Sequence, residues 1–154
     1  MRLALGLGVA LAAATALVRR RVVLITVDGR SMEPTYRSGD RLLLRRADGR
    51  QVRHGQVVVV ASPVSTDGWQ PGAPPAVYGT GNWLVKRAVA VAGEPVPLDV
   101  VGAAGVQPGS VVPRGYLVVR GDGVRSGDSR LWGLVPVDQV LGVVLGPPLR
   151  RRGQ

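Results

Sequence analysis

Cysteine and phenylalanine are both absent from this chain of 154 residues, and histidine occurs once. Without cysteine, disulfides, thiolate metal sites and a cysteine nucleophile are all excluded. The single His54 cannot build a multi-histidine metal centre, and the ten acidic residues are too scattered to favour a two-metal carboxylate site. We therefore expect neither a metal nor a cofactor.

Lysine is almost absent as well. The chain has 20 basic residues, and all of them except Lys86 are arginines, whose guanidinium stays protonated at any physiological pH. A buried amine can lose its proton and then act as a base. Lys86 is therefore the one cationic candidate for proton transfer, unless an arginine-biased composition simply left one lysine behind.

The composition predicts one mostly β domain. Valine is abundant and favours strands, while 22 glycines and 12 prolines indicate many turns and few long helices. We expect a single helical turn after Ser31 or Ser126 and irregular structure over 62–81 and 100–114. The candidate strands are Val22–Val27, Arg41–Arg45, Gln56–Ala61, Leu84–Val91, Tyr116–Arg120 and Gln139–Leu145.

The formal net charge of +10 predicts an anionic neighbour. No helix-turn-helix pattern, aromatic-rich RNA-binding signature or zinc spacing is visible, so we expect no nucleic acid partner. The charge fits the surface of a lipid bilayer, or serves solubility alone.

An uncharged run, Leu3–Val18, opens the chain and ends at Arg19–Arg21. It is shorter than the roughly 20 residues of a spanning helix, so it is either a short membrane anchor or the core of a signal peptide. We prefer an uncleaved anchor over residues 1–21, forming an N-terminal hydrophobic helix. The arginines after the run would, by the positive-inside rule, leave the body of the protein in the cytoplasm.

Ser31 follows a turn and precedes the pair Glu33-Pro34, which favours an extended backbone before the proline. A serine on such a corner can supply both a nucleophile and an oxyanion donor, although an ordinary loop is the simpler interpretation of this segment alone. The serine needs a base. His54 lies in a predicted surface turn, whereas Lys86 alternates with apolar residues and can face inward, where lost hydration lowers the pKa of an amine.

A third polar segment, residues 121–133, carries Asp122, Ser126, Asp128 and Arg130 among glycines. Asp128 and Arg130 can form a charge-assisted pair that fixes this loop, and Ser126 can hydrogen-bond a neutral lysine amine. The alternative is a polar surface turn with an ion pair of little consequence.

Together these segments resemble type I signal peptidases, the serine–lysine proteases that remove signal peptides from exported proteins. The likeness is to compact members of the actinobacterial and Gram-positive kind, and it covers about residues 22–146. Ser-Met-Glu-Pro-Thr (31–35) is similar to the nucleophile box of that family, and Val-Lys-Arg-Ala-Val-Ala-Val-Ala-Gly-Glu (85–94) to its lysine box. The final boxes are matched by Pro-Arg-Gly-Tyr-Leu-Val-Val-Arg-Gly-Asp (113–122), Ser-Gly-Asp-Ser-Arg (126–130) and Trp-Gly-Leu-Val-Pro (132–136).

The resemblance implies the complex β fold that signal peptidases share with self-cleaving SOS repressors, with a catalytic domain over 22–146 and a basic tail over 147–154. It implies Ser31 as nucleophile and, through its N–H, oxyanion donor, with Lys86 as general base. Ser126 would orient the lysine amine. Further residues implied are the supporting pair Asp128 and Arg130, and the substrate-binding residues Met32, Leu84 and Val85.

Three features of the sequence depart from the family pattern. Gly123 stands where the family usually has Asn, the loop leading to Ser126 is one residue short, and Glu94 replaces Asp. The large extra β domain of Gram-negative enzymes is missing. None of these departures removes a catalytic group.

We therefore expect a membrane-anchored, single-pass serine endopeptidase acting on signal peptides of exported preproteins at the lipid bilayer. The resemblance places its catalytic domain on the extracytoplasmic side, against the arginine count. One alternative is a maturation protease dedicated to a single client, of the nickel superoxide dismutase or pilin type. Alternatives of another class are a self-cleaving repressor-like regulator and an inactive binding domain.

Overall fold

A computed structural model describes residues 22–63, 68–69 and 82–149. The predicted anchor over residues 1–21, with its hydrophobic helix, lies outside these residues. So does the end of the basic tail, although the last strand runs on to Leu149, past the predicted domain end at Gly146. In the part of the chain that is described, no helix combines the length and the apolar character needed to cross a bilayer.

The prediction of a mostly β chain is confirmed, because strands dominate the described residues. Two short helices, α1 (Val101–Ala104) and α2 (Ser129–Trp132), and two 3₁₀ turns, Gly49–Gln51 and Val137–Gln139, complete the regular structure. The strands are β1 (Val22–Thr26), β2 (Arg41–Arg46), β3 (Val57–Ala61), β4 (Trp83–Val91), β5 (Tyr116–Arg120), β6 (Val135–Pro136) and β7 (Val140–Leu149).

The seven strands of the described residues belong to one curled antiparallel sheet in the order β1-β2-β7-β3-β4-β5-β6. The central strand β3 reads Val-Val-Val-Val-Ala, and its four valines are buried. A strand buried on both faces loses the usual apolar–polar alternation. The two faces of β3 therefore belong to different core clusters: Val58 and Val60 pack on one side, and Val57 and Val59 on the other.

Three parts of the chain bring the candidate catalytic residues together at one end of the sheet. The turn after β1 carries Ser31, β4 carries Lys86, and the loop between β5 and α2 carries Ser126. β4 pairs with β3 along Trp83–Arg87 and with β5 along Arg87–Val91. Consequently the end of β5, where the Ser126 loop begins, lies beside the middle of β4.

The predicted helical turn after Ser126 is α2. Asp128 caps its N-terminus by accepting a hydrogen bond from the N–H of Arg130, and such a cap contributes about 1 kcal/mol. After Ser31 the chain forms a turn in which the Tyr36 N–H donates to the Met32 carbonyl. Helix α1 lies inside the stretch 100–114 that was predicted to be irregular, and that part of the prediction is wrong. It ends at Gly105, whose φ of +65° is the left-handed conformation in which helices commonly stop.

Candidate active site

Lys86 lies in the middle of β4 and faces one of the core clusters. Val58 is its direct partner on β3, and Leu84 and Ala88 precede and follow it on the same face of the strand. These neighbours are all apolar, and the lysine side chain is only 2% exposed. The sequence prediction that Lys86 faces inward agrees with this position.

The amine of Lys86 donates a hydrogen bond to the hydroxyl of Ser126, with 2.9 Å between Nζ and Oγ. That hydroxyl in turn donates to the carbonyl of Gly127 at 3.3 Å. Burial lowers the pKa of Lys86; Asp128 acts to raise it and Arg130 to lower it, and the net direction is downward. A neutral amine held in this way has a lone pair with which to accept a proton.

Ser31 is half-buried and opens the turn over residues 31–35. The Glu33 N–H donates to the Arg30 carbonyl, and the peptide bond before Pro34 is cis. The next residue, Met32, is 1% exposed and packs with Tyr36, Val57 and Val85. Met32 therefore anchors the turn to the core from beneath, rather than presenting its side chain at the surface.

Ser31 is held against the Ser126 loop by its backbone. Its carbonyl accepts a hydrogen bond from the Gly123 N–H at 2.9 Å. A Cβ built on Gly121 would overlap both the Ser126 hydroxyl and the Ser31 carbonyl, so these two groups lie side by side against that glycine. Among the described residues, the Lys86 amine donates to Ser126 and not to Ser31.

A second network ties the same three segments together. Arg87 donates to both carboxylate oxygens of Asp122, at 2.9 and 2.6 Å, and to the carbonyl of Gly55 at 2.8 Å. Asp122 also accepts from the hydroxyl of Thr35, the last residue of the Ser31 turn, at 2.5 Å. The hydrogen bonds from Arg87 hold the pKa of Asp122 below its usual range, although burial opposes them. Asp122 is therefore an anion that joins β4 to the Ser31 turn.

Asp128 and Arg130 form the pair that the sequence suggested. The guanidinium donates at 2.9 and 2.8 Å to the carboxylate of Asp128, which is fully buried and also accepts from the Gly121 N–H at 3.0 Å. Burial raises the pKa of Asp128, but the hydrogen bonds from Arg130 and from the backbone outweigh it, so the net pKa is lowered. The pair fixes the loop at the end of β5, on which Ser126 sits.

Leu84 and Val85 point to opposite faces of β4, Leu84 toward the Lys86 side and Val85 toward Met32. Both are half-buried. Among the described strands, β4 has no partner on its β5 side before Arg87. Within the described residues, Leu84 and Val85 thus have no strand beside them on that side, and this stretch leads directly to Lys86.

The structure brings together Lys86, Ser126, Asp128, Arg130 and the backbone of Ser31, all predicted from sequence. His54 occupies an exposed turn, as expected, and its ring is hydrogen-bonded to Glu94 at 2.9 Å. Sequence reasoning assigned no role to Arg87, Asp122 and Thr35. Their one signal was position, because each lies inside or beside a predicted segment. Within the described residues, no three His, Asp or Glu side chains are grouped as a metal site.

Comparison with known families identifies the class of the protein. A family model described as signal peptidase, peptidase S26, matches residues 1–102, and the chain belongs to that family. The matched residues include Ser31 and Lys86 and end before the Ser126 loop. The chain is accordingly a serine peptidase of the signal peptidase type, a class whose substrates are the signal peptides of preproteins. No curated protein matches the sequence.

Proposed function

We propose that this protein is a membrane-anchored serine endopeptidase that uses Ser31 and Lys86 to remove N-terminal signal peptides from exported proteins. The observation that carries the proposal is the burial of the only lysine against Ser126, on a loop that also binds the Ser31 turn. A buried lysine amine that has lost its proton is a base. In this proposal it activates the hydroxyl of Ser31, whose turn is hydrogen-bonded to the same loop.

In the proposed reaction the neutral Lys86 amine accepts the proton of the Ser31 hydroxyl as Oγ attacks the scissile carbonyl. The negative charge that develops on the carbonyl oxygen is stabilised by the Ser31 N–H. Lys86 then protonates the leaving amine, and an acyl-enzyme remains on Ser31. Water, deprotonated by Lys86, attacks that ester, and Lys86 returns the proton to the departing Ser31 oxygen. This releases the signal peptide with a free carboxylate and restores the Ser31 hydroxyl.

Ser126 has the role of holding the amine while it changes protonation state. Its hydroxyl donates to Gly127, which leaves its lone pairs directed at Nζ. The Asp128–Arg130 pair supports the loop, because the buried carboxylate binds the N–H of Gly121 at the end of β5. These contacts preorganise the amine, so little reorganisation is needed during reaction.

The open edge of β4 suggests how the substrate binds. An extended peptide can add by strand addition along Leu84 and Val85, on the side where β5 does not pair with them, which would carry its scissile bond toward Lys86. Leu84 and Val85 border this edge, with Met32 packed beneath Val85. Small apolar surroundings of this kind suit small residues such as alanine at the positions −1 and −3 before the cleaved bond.

A leucine row on the outer face of the sheet supports contact with the lipid bilayer. Leu24, Leu43 and Leu145 are direct cross-strand partners on β1, β2 and β7, so they form one line on one face. Leu24 and Leu145 are 42% and 39% exposed. Arg41 and Arg45 border the row, each two residues from Leu43 along β2. Apolar side chains bordered by arginines fit a membrane surface with anionic headgroups. In this proposal the protein crosses the membrane once, and its leucine row contacts the extracytoplasmic side of the bilayer.

Cleavage of a fluorogenic Ala-Xaa-Ala peptide by the full chain in detergent tests the chemistry. Ser31→Ala, Lys86→Ala and Lys86→Arg should each abolish turnover, the last because arginine does not deprotonate. Ser110→Ala, at a half-buried loop serine outside the site, should keep wild-type activity. An active Lys86→Arg variant would contradict the proposal.

A further inference from the structure

Trp69 lies in the segment 62–81, which was expected to be irregular, yet it packs beside the candidate site. Its ring meets that of Trp132 edge to face, with centroids 5.7 Å apart and an angle of 86° between the planes. The preceding Gly68 has a φ of +90°, and a Cβ built on it would lie 2.5 Å from the carbonyl oxygen of Trp132. Only glycine permits this approach, so Gly68 and Trp69 both pack closely against the end of α2.

Trp132 in turn packs on the backbone that carries Ser126. A Cβ built on Gly127 would lie 3.1 Å from Cζ2 of Trp132, so the indole ring lies against this glycine. The carbonyl of Gly127 accepts the hydrogen bond from the Ser126 hydroxyl, and Ser126 accepts the hydrogen bond from Lys86. Four consecutive contacts therefore connect Trp69 to the lysine amine.

The same aromatic pair covers the apolar surroundings of the lysine. Trp69, Trp132 and Leu84 pack against the core cluster that contains Val58 and Ala88, the residues beside Lys86 on its face of the sheet. The charged groups that act on the amine are Asp128 and Arg130, on the loop and the helix that Trp132 supports. The neighbouring strand β3 presents only the apolar Val58 opposite Lys86.

We propose that Trp69 is a positioning residue for the Lys86 amine. Through Trp132 it fixes the Gly127 backbone and the Ser126 hydroxyl, and it closes the apolar cluster around the lysine. Without it, water reaches the cluster and the Ser126 hydroxyl loses its fixed direction. The proposal rests on the function proposed above, although its first measurement requires no turnover.

The test uses the full chain in detergent, labelled with lysine carrying ¹³C at Cε. Because Lys86 is the only lysine, the label gives one side-chain NMR signal whose pH titration reports this amine alone. Trp69→Ala should move the titration midpoint upward, since a wetter amine holds its proton more tightly. Trp69→Phe keeps an aromatic ring and should return the midpoint toward the wild-type value. Val137→Ala truncates a residue of the same cluster beside the start of β5 and should leave the midpoint unchanged.

The second measurement is cleavage of the Ala-Xaa-Ala peptide. For Trp69→Ala, kcat should fall by up to about 100-fold, since small displacements of a catalytic group have effects of that size. KM should stay unchanged, because Trp69 does not contact the peptide in this proposal. The rise of kcat/KM with pH should move upward together with the NMR midpoint.

Two results would overturn the proposal: a folded Trp69→Ala variant with the wild-type midpoint and kcat, or a Val137→Ala variant that moves the midpoint equally. If circular dichroism shows that Trp69→Ala does not fold, Trp69→Leu is titrated in its place under the same criteria. Failure of the proposed function alone would look different. Ser31→Ala would then remain active while Trp69→Ala still moved the lysine midpoint.

Discussion

Arg87 and Asp122 form a two-point ion pair, with Nε–Oδ1 at 2.9 Å and Nη2–Oδ2 at 2.6 Å. Because Asp122 also accepts from Thr35, this pair is a direct connection between the strand of Lys86 and the turn of Ser31. A carboxylate that receives three hydrogen bonds across two segments fixes their separation. The distance between the proposed base and nucleophile thus depends on a residue that touches neither.

Asp122→Asn should therefore lower both stability and kcat. Losing charge-assisted hydrogen bonds of this kind costs about 1–3 kcal/mol, which denaturant unfolding at pH 7 would measure. The pKa of Asp122 is lowered in the folded protein, so its contribution is complete above the ordinary aspartate pKa of about 4 and is lost as the pH falls through the lower folded value. The difference between the two proteins should shrink in that acidic range. Asp48→Asn, which breaks the exposed pair with Arg50, is the control and should cost far less.

Gly123→Ala should displace the Ser31 turn. The added Cβ would lie 2.6 Å from the Arg30 carbonyl oxygen and 3.2 Å from the Ser31 carbonyl carbon, so backbone must move. We expect a loss of about 1–3 kcal/mol in stability and a fall in kcat, measured by thermal unfolding and peptide cleavage. Gly102→Ala is the matched control, because nothing lies within 4 Å of its added Cβ and alanine favours the helix α1. Equal kcat for the two variants would argue against a role for Gly123 in holding Ser31.

Lys86→Met should abolish activity and raise stability. In the folded protein the pKa of Lys86 is lowered, so between the folded and unfolded pKa values the unfolded chain binds more protons. The unfolding free energy of the wild type then rises with pH across that range, and at neutral pH the buried amine destabilises the fold. Methionine removes this penalty, and gains of about 0.5–2 kcal/mol are usual for such changes at functional sites. Unfolding from pH 6 upward would show a flatter dependence for the variant, whereas Arg53→Met, at an exposed arginine, should keep the wild-type slope. A destabilised, folded Lys86→Met protein would contradict the buried-amine account.

The leucine row predicts which face meets the bilayer. Because the chain has no cysteine, Leu145→Cys and Leu98→Cys each introduce a single site for a bimane fluorophore. Leu98 is 79% exposed and lies in the connection between β4 and α1, not on the strands that carry the row. In nanodiscs with anionic lipid, bimane at residue 145 should shift to shorter emission wavelengths and bimane at residue 98 should not. Water-like emission from both sites would place the row away from the membrane.

Local patterns were enough to predict most of the strands. β5 was predicted with its observed limits, Tyr116–Arg120, because turn residues bound a run of apolar residues. β6 was missed, since two residues, Val135 and Pro136, carry no periodicity and form a strand only by pairing with β5. α1 was missed as well. Val100, at its N-terminus, is buried, so this helix depends on tertiary packing rather than on helix propensity.

In the candidate site too, contacts between neighbours in the sequence could be predicted and long-range contacts could not. The Asp128–Arg130 pair joins residues two apart, so its members were visible in one short motif. Thr35, Arg87 and Asp122 meet over separations that only the folded sheet defines, and no local pattern connected them. The resemblance implied Met32 as a substrate-binding residue, and that role stays a prediction. Its 1% exposure and its packing in the core were not visible in the sequence, because an apolar residue in a turn can line a cleft or fill a core.

The central claim is that the single lysine is neutral within the working pH range, and titration of its ¹³Cε signal in the full chain in detergent tests this most directly. We predict a midpoint clearly below the ordinary lysine value of about 10.4, coinciding with the pH at which kcat/KM rises and then levels off. A midpoint at the ordinary value, or a rise in kcat/KM at a pH unrelated to it, would contradict the account.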